Sequence, residues 1–256
     1  MSHSQGGFGL LFNYTSKEVV VKIVYYGPAL SGKTSNLEYI YKKTNPQTRG
    51  KLISLATETD RTLFFDLLPM DLGEVKGFNI KLQLYTVPGQ VKYNSTRKLV
   101  LKGVDAIVFV ADSNRDLIGA NIESMNNLKA NLEELGIDYY SIPMALQFNK
   151  QDIQDRVSDE ELNSVINDRN LEVIKSCSID GTGVFETLKH ISRLVIEVLN
   201  KKNETNRQKT TSAENEDLNE RIAILKEKIA KSKDVVNELL SELTQFEQKL
   251  SDLRLK

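Results

Sequence analysis

The segment Val19-Val20-Val21-Lys22-Ile23-Val24-Tyr25-Tyr26-Gly27-Pro28-Ala29-Leu30-Ser31-Gly32-Lys33-Thr34 decides how this chain folds. Its first half is an apolar run that reads as a buried strand, and its second half matches G-x-x-x-x-G-K-[ST]. Ser35-Asn36-Leu37-Glu38-Tyr39-Ile40-Tyr41 follows as a helix. Strand, loop and helix in that order turn the pattern into a phosphate site. Glycines let the backbone approach a polyphosphate, and successive N–H groups at the helix N-terminus point at its charge. The candidate contacts are therefore Gly27, Pro28, Ala29, Leu30, Ser31, Gly32, Lys33, Thr34 and Ser35. Lys33 supplies a cation for the β and γ oxygens and counts as a catalytic residue, while the Thr34 hydroxyl is a ligand for Mg²⁺.

Working outward, the rest of the chain alternates as a doubly wound α/β sheet should. Ile80–Tyr85 and Ala106–Asp112 read as strands, Ala120–Leu135 as a long amphipathic helix, and Pro143–Phe148 as a further strand. That last strand delivers Asn149-Lys150-Gln151-Asp152, an N-K-x-D sequence at the carboxyl end where open sheets place ligands. A carboxylate at Asp152 accepts from both N1–H and the exocyclic amine of guanine, whereas adenine would leave it unpaired, so an ATPase is disfavoured. Asn149 is expected to bond the other edge of the base, and the stem of Lys150 to cover its face. Leu171–Lys175 is the next strand and ends at Ser176-Cys177-Ser178, where backbone N–H groups of Cys177 and Ser178 can meet the guanine O6. Ser158 with Glu161 reads as a capping box, and a helix opening near Gly183 runs to about Asn200.

Two intermediate stretches carry competing readings. In Thr59-Asp60-Arg61-Thr62-Leu63-Phe64-Phe65-Asp66 the aromatics read as core. Thr62 and Arg61 are either parts of a capped turn or a hydroxyl for metal and γ-phosphate and a cation for transition-state charge. Asp60 and Asp66 are both candidates to hold metal-bound water, and either reads equally as a solvated turn carboxylate. Thr86-Val87-Pro88-Gly89-Gln90 follows a strand and is either a common Pro-Gly turn or, as its resemblance to the Asp-x-x-Gly-Gln of Ras-type proteins implies, a segment whose Gly89 N–H senses the γ-phosphate and whose Gln90 orients the attacking water. Residues Met1 to Asn13 read as a loose Gly- and Ser-rich lead-in, and Thr44 to Thr57 as a mobile connection.

Composition narrows the classes. The 256 residues are 27% charged and 40% hydrophobic, an ordinary soluble balance, and the net charge of −1 gives no reason to expect nucleic acid or an acidic membrane as partner. A lone Cys177 excludes an internal disulfide and makes the cytoplasm the expected compartment. No apolar run approaches a membrane span, and neither a signal sequence nor a lipidation motif is recognisable, so a direct membrane anchor is not expected.

Taken together, Lys22–Pro28, Leu52–Asp66, Tyr85–Val91 and Val108–Ser113 make the chain resemble the MglA family of bacterial gliding-motility and cell-polarity GTPases, over roughly Tyr14 to Leu199. The resemblance implies a Ras-like G domain over residues 1–200, GTP or GDP with Mg²⁺, slow hydrolysis, effector proteins, and a roadblock-type GTPase-activating partner. It assigns the cis arginine to Arg61, the switch threonine and second metal hydroxyl to Thr62, and the water-positioning glutamine to Gln90. Thr86, unusual for Ras, is normal for this family. Cys177-Ser178-Ile179 departs from the Ser-Ala-Lys of Ras relatives, which favours the backbone N–H of Ser178 over any side chain there.

Beyond the resemblance, 201–217 reads as a flexible linker and 218–256 as a coiled-coil helix about 60 Å long. Ile222, Ile229 and Val236 fall at a, with Leu218, Leu225 and Leu239 at d. The competing arrangement is an amphipathic helix lying on the domain. A parallel in-register pair would set Arg221 against Lys226, Lys228 against Lys233, Glu242 against Glu247 and Lys249 against Arg254, all like charges. The helix is therefore expected to pair antiparallel with itself or with another protein. Two function classes follow: a GTPase switch, and a nucleotide-gated scaffold with negligible hydrolysis whose coil recruits partners. For the coil, the expected outcome is that a Ser251→Cys variant fails to cross-link efficiently to itself under oxidation. An efficiently cross-linked dimer of that variant on a non-reducing gel would establish parallel pairing instead.

Overall fold

Glu18–Tyr26 forms strand β2, and everything else in the sheet is placed by it. The structure is a computed structural model that describes residues 11–13, 16–54, 65–201 and 222–226. In chain order the strands are β1 (Leu11–Asn13), β2, β3 (Ile53–Ser54), β4 (Asp66–Val75), β5 (Phe78–Thr86), β6 (Ala106–Asp112), β7 (Met144–Asn149) and β8 (Val173–Lys175). The helices are α1 (Lys33–Lys43), α2 (Asn94–Leu101), α3 (Ile118–Glu134), α4 (Asp159–Ile166) and α5 over 184–201. The sheet order is β3-β4-β5-β2-β6-β7-β8, with β1 antiparallel to the start of β2. Strands β5, β2, β6, β7 and β8 run parallel; β4 and β3 are antiparallel additions at one side.

Hydrophobic burial explains the parallel centre. Every residue of β6 and β7 is buried, as expected for strands covered on both faces by helices. Phe109, Phe148, Leu146 and Ile107 pack in one cluster with Met125, Leu128 and Leu132 of α3 and Leu162 and Ile166 of α4. Each fully buried side chain of this size contributes about 2 kcal/mol. The expected strands and helices at 19–26, 35–41, 80–85, 106–112, 120–135, 143–148 and 171–175 are all present within a few residues of the expected limits.

Several elements were not expected. The lead-in supplies β1, whose Leu11 pairs with Val20. Pro69 and Gly73 argue against a strand, yet β4 forms because only short β3 flanks its outer side and a bulge between Asp71 and Gly73 absorbs the irregularity. The connection after α1 contains a 3₁₀ turn at Pro46–Thr48, capped by the Asn45 side chain, followed by β3. Helix α2 follows the Pro88-Gly89 turn and buries Arg97, Val100 and Leu101.

The chain divides into two units, Met1–Val198 and Leu199–Lys256. In the second, residues 222–226 are helical, with Ile222 and Leu225 exposed; the remainder of the expected linker and coil lies outside the described residues. Among the described residues no helix is long and apolar enough to cross a membrane.

One buried polar pair ties the first helix to the sheet. Gln147 on β7 donates to Asn36 Oδ1 at 3.0 Å and to Thr187 Oγ1 at 2.8 Å, while Asn36 Nδ2 donates back to Gln147 Oε1 at 3.0 Å. All three residues are fully buried. Gln147→Leu leaves Asn36 Oδ1 without its donor and is expected to destabilise the fold by about 1–3 kcal/mol, read as a lower urea midpoint at unchanged slope.

Candidate nucleotide site

The sheet order reverses at β2, which has β5 on one side and β6 on the other, so its carboxyl end opens into a crevice where α/β proteins bind ligands. The loop leaving β2 fills that crevice. Gly32 has φ +100, and a Cβ there would lie 2.1 Å from Asn149 Nδ2, so the position needs glycine for both conformation and space. Helix α1 then starts at Lys33 with no acidic residue in its first turn, leaving its positive end available to an anion.

Lys33 is buried, and its Nζ donates to the carbonyls of Gly27 at 3.0 Å and Pro28 at 2.6 Å. Burial, then the positive charge of Arg97, lowers its pKa to about 7 against the opposing pull of Asp66 and Asp112. An anion beside a buried lysine favours its charged form, and a polyphosphate is the anion that a glycine loop and a helix N-terminus recognise.

The metal side is built around Asp66 at the start of β4. Its carboxylate accepts from Thr34 Oγ1 at 2.7 Å, from Thr86 Oγ1 at 2.8 Å and from Ser54 Oγ at 2.5 Å. Thr86 also accepts from the Asp66 backbone N–H at 2.9 Å. Of the two candidate acids, Asp66 is the one placed against Thr34; Asp60 lies outside the described residues. The donors converging here are a hydroxyl and a carboxylate, hard oxygens that suit Mg²⁺, and among the described residues no His, Cys, Asp and Glu cluster offers an alternative metal cage. Mg²⁺ bound by Thr34 and supported through Asp66 would supply positive charge to the phosphate oxygens. Ser54 is the residue that motif reading missed, and Thr86, noted there only as a departure from Ras, had no partner assigned; strand pairing brings both to Asp66.

Gly89 lies against the phosphate loop. A Cβ on it would stand 2.4 Å from Ala29 N and 2.5 Å from Pro28 C, a separation only glycine permits. Gln90 follows, partly exposed, at the start of the 3₁₀ turn Val91–Tyr93. Leu30, with φ +63, is 60% exposed at the mouth of the same loop. Arg61 and Thr62 lie outside the described residues.

On the base side, Asn149 is 1% exposed and both ends of its amide are engaged within the protein. Nδ2 donates to Ser31 O at 2.7 Å and Ser178 Oγ at 3.0 Å, and Oδ1 accepts from Ser178 N at 2.9 Å and Ser176 Oγ at 3.0 Å. The residue expected to touch a base thus binds the phosphate loop to the Ser176-Cys177-Ser178 loop. Lys150, at φ +66, places its Nζ 2.5 Å from Asp112 Oδ2 at the end of β6. Asp152 is exposed, and its carboxylate lies at the Cys177 thiol, whose pKa is raised by burial first and by that carboxylate in smaller part. Cys177, Ser178, Lys150 and Asp152 are therefore gathered at one end of the crevice, and Lys33, Thr34 and Gly89 at the other.

A model of the ADP-ribosylation factor family matches residues 10–195. Over 189 residues the chain is 54% identical to the mutual gliding-motility protein MglA of Myxococcus xanthus (strain DK1622), covering 74% of this chain and 97% of that one. Over 175 residues it is 23% identical to an uncharacterised protein of Methanocaldococcus jannaschii, covering 68% and 97% respectively. The matched region runs from β1 into α5 and takes in the whole crevice at the end of β2. The chain belongs to the ADP-ribosylation factor family, as a Ras-like, GTP-hydrolysing enzyme of the MglA type.

Proposed function

We propose that the chain is a molecular switch that binds GTP and GDP with Mg²⁺, hydrolyses GTP slowly alone, and is accelerated by a roadblock-type partner to serve bacterial gliding motility or cell polarity. The observation that carries this reading is the contact of Gly89 with Ala29 and Pro28. A phosphate loop whose own residues touch the segment bearing Gln90 cannot change its charge without that segment responding. Such coupling is what a switch needs and a passive nucleotide store does not. The Myxococcus relative supports the cellular setting, since it is named for gliding motility.

Within this reading Asp152 selects guanine, the Ser178 N–H meets the base, and Thr34 with Thr62 holds the metal. Gln90 orients the attacking water. Arg61 stabilises charge developing on the transferred phosphoryl group when the activator brings it in. The cytoplasm is the proposed compartment, and effectors that recognise the GTP form are the proposed partners. The heptad segment adds a partner or a second copy.

Two measurements bear on this. In single-turnover assays Gln90→Leu is expected to lower GTP hydrolysis with or without a roadblock-type activator, by about 10²-fold. Arg61→Ala is expected to lose chiefly the activated rate. Equal rates for wild type and both variants with activator present would leave the scaffold reading in place of the switch. Separately, the nucleotide-free lysine at pKa about 7 is mostly neutral near pH 8 and charged near pH 6. A bound triphosphate raises that pKa, so GTP binding at about pH 8 is expected to take up about one proton, falling to none at about pH 6. Calorimetry in buffers of different ionisation enthalpy measures this uptake; a pH-independent absence of uptake would mean that Lys33 already carries its proton before the nucleotide binds.

A further inference from the structure

We infer that Arg97 on α2 is a positioning residue for hydrolysis, gripping the main chain on both sides of Gly89 and so fixing where Gln90 sits. The inference rests on the proposed role of Gln90 and adds the residue that sets it. Arg97 is 4% exposed. Its Nη1 donates to Gln90 O at 2.6 Å and to Pro88 O at 3.2 Å, the carbonyls that flank the glycine lying on the phosphate loop. Its Nε donates to Asn127 Oδ1 at 2.9 Å, and its Nη2 approaches Asn94 Oδ1 at 3.4 Å.

Those partners are themselves held. Asn127 Oδ1 also accepts from Tyr26 Oη at 2.6 Å and from Asn131 Nδ2 at 3.0 Å, and Asn127 Nδ2 donates to Asn94 Oδ1 at 3.0 Å. Asn131 Nδ2 in turn donates to Tyr26 Oη at 3.1 Å. Tyr26 ends β2, immediately before the phosphate loop, and Asn127 and Asn131 stand one turn apart on α3. The guanidinium is thus fastened at its back to the strand that carries the phosphate loop and at its front to the segment that carries Gln90.

Chemistry argues that this arrangement does more than hold α2 on α3. Burying a cation is costly, and an apolar side chain at position 97 would join two helices with a smaller penalty. What the guanidinium alone supplies is a planar fork that bonds two carbonyls and two amide oxygens at once, which a lysine cannot reproduce. Packing does not substitute for it. Arg97 and Gln90 border, with Ala29, Gly89, Ser124 and Asn127, a cavity of about 410 Å³, so the loop faces open space on that side. Beside the packing of Gly89 on the phosphate loop, hydrogen bonds to Pro88 O and Gln90 O are what hold the loop on that side. A catalytic group displaced by about 1 Å can lose about 10²-fold in rate, so loosening this grip acts on chemistry without touching the nucleotide.

The test is a double-mutant comparison on the full chain loaded with GTP and Mg²⁺, following intrinsic single-turnover hydrolysis alongside the affinity for a fluorescent GDP analogue. Arg97→Lys is expected to slow hydrolysis at least about tenfold while changing GDP affinity less than about twofold, and to slow it no further in a Gln90→Leu background. Asn127→Ala, which removes the rear support and leaves the fork intact, is expected to give a smaller loss with the same dependence on Gln90. It keeps the inference testable if Arg97→Lys fails to fold. Losses that multiply with Gln90→Leu, or wild-type hydrolysis in both Arg97→Lys and Asn127→Ala while Gln90→Leu is slow, would overturn the inference and leave the role of Gln90 standing. Wild-type hydrolysis in Gln90→Leu would instead remove both.

Discussion

The amide of Asn149 is the constraint on which the site depends. It is buried at the end of β7, spends its donors on Ser31 O and Ser178 Oγ and its acceptor on Ser178 N and Ser176 Oγ, and so fixes the phosphate loop against the loop after β8. An amide suits the place because it offers donors and an acceptor at opposite ends of a short rigid group. Gly32 fits beneath it because any Cβ would collide with its nitrogen. Remove the amide and two loops lose their common reference, each left with buried polar groups to satisfy. The phosphate loop and the loop after β8 are in this sense one feature, although the residues concerned lie more than a hundred positions apart in the chain.

Much of this was legible in the sequence, for a physical reason. A phosphate loop and an N-K-x-D tetrapeptide are contiguous because consecutive backbone N–H groups, or residues at one strand end, do the recognition, so their spacing survives in one dimension. Central strands such as β6 were equally plain, since burial on both faces leaves an unbroken apolar run. What could not be read was whatever depends on strands pairing. Asp66 looked like one of two turn acids until β4 lay beside β5 and Thr86 hydrogen-bonded both its backbone and its carboxylate. Arg97 carried no motif, because its partners come from the Pro88–Gln90 segment, α2 itself and α3, with β2 behind them. The ties Asn149 makes inside the protein were hidden for the related reason that a polar residue at a loop reads as ligand-facing, whereas its burial and its bonds to Ser31 and Ser178 appear only in the fold.

The two ends of the crevice are wired differently. At the base end the ties through Asn149 are neutral: amide, hydroxyl and backbone groups satisfy one another. At the phosphate end they involve charge. Lys33 rests on two carbonyls with its pKa pulled down by burial and by Arg97, and Asp66 gathers the hydroxyl of Thr34 together with those of Ser54 and Thr86. A neutral network is indifferent to an arriving triphosphate, but a buried lysine and a buried carboxylate are not.

That asymmetry says where a switch must store its response. A ligand shifts an equilibrium only by the difference in its interactions with the two states, and the difference between GTP and GDP is confined to the phosphate end. Thr34 donates its hydroxyl hydrogen to Asp66, so a metal taking a lone pair of that oxygen would strengthen the bond, and Asp66 cannot move without disturbing Thr86, two residues before the Pro88 carbonyl. In the proposed switch, charge entering at Lys33 is passed to β5 and to Gly89, while the end of the crevice tied by Asn149 stays in register. The two ends of the crevice therefore hold by different means in the proposed switch, the neutral bonds of Asn149 at one and the charged groups Lys33 and Asp66 at the other.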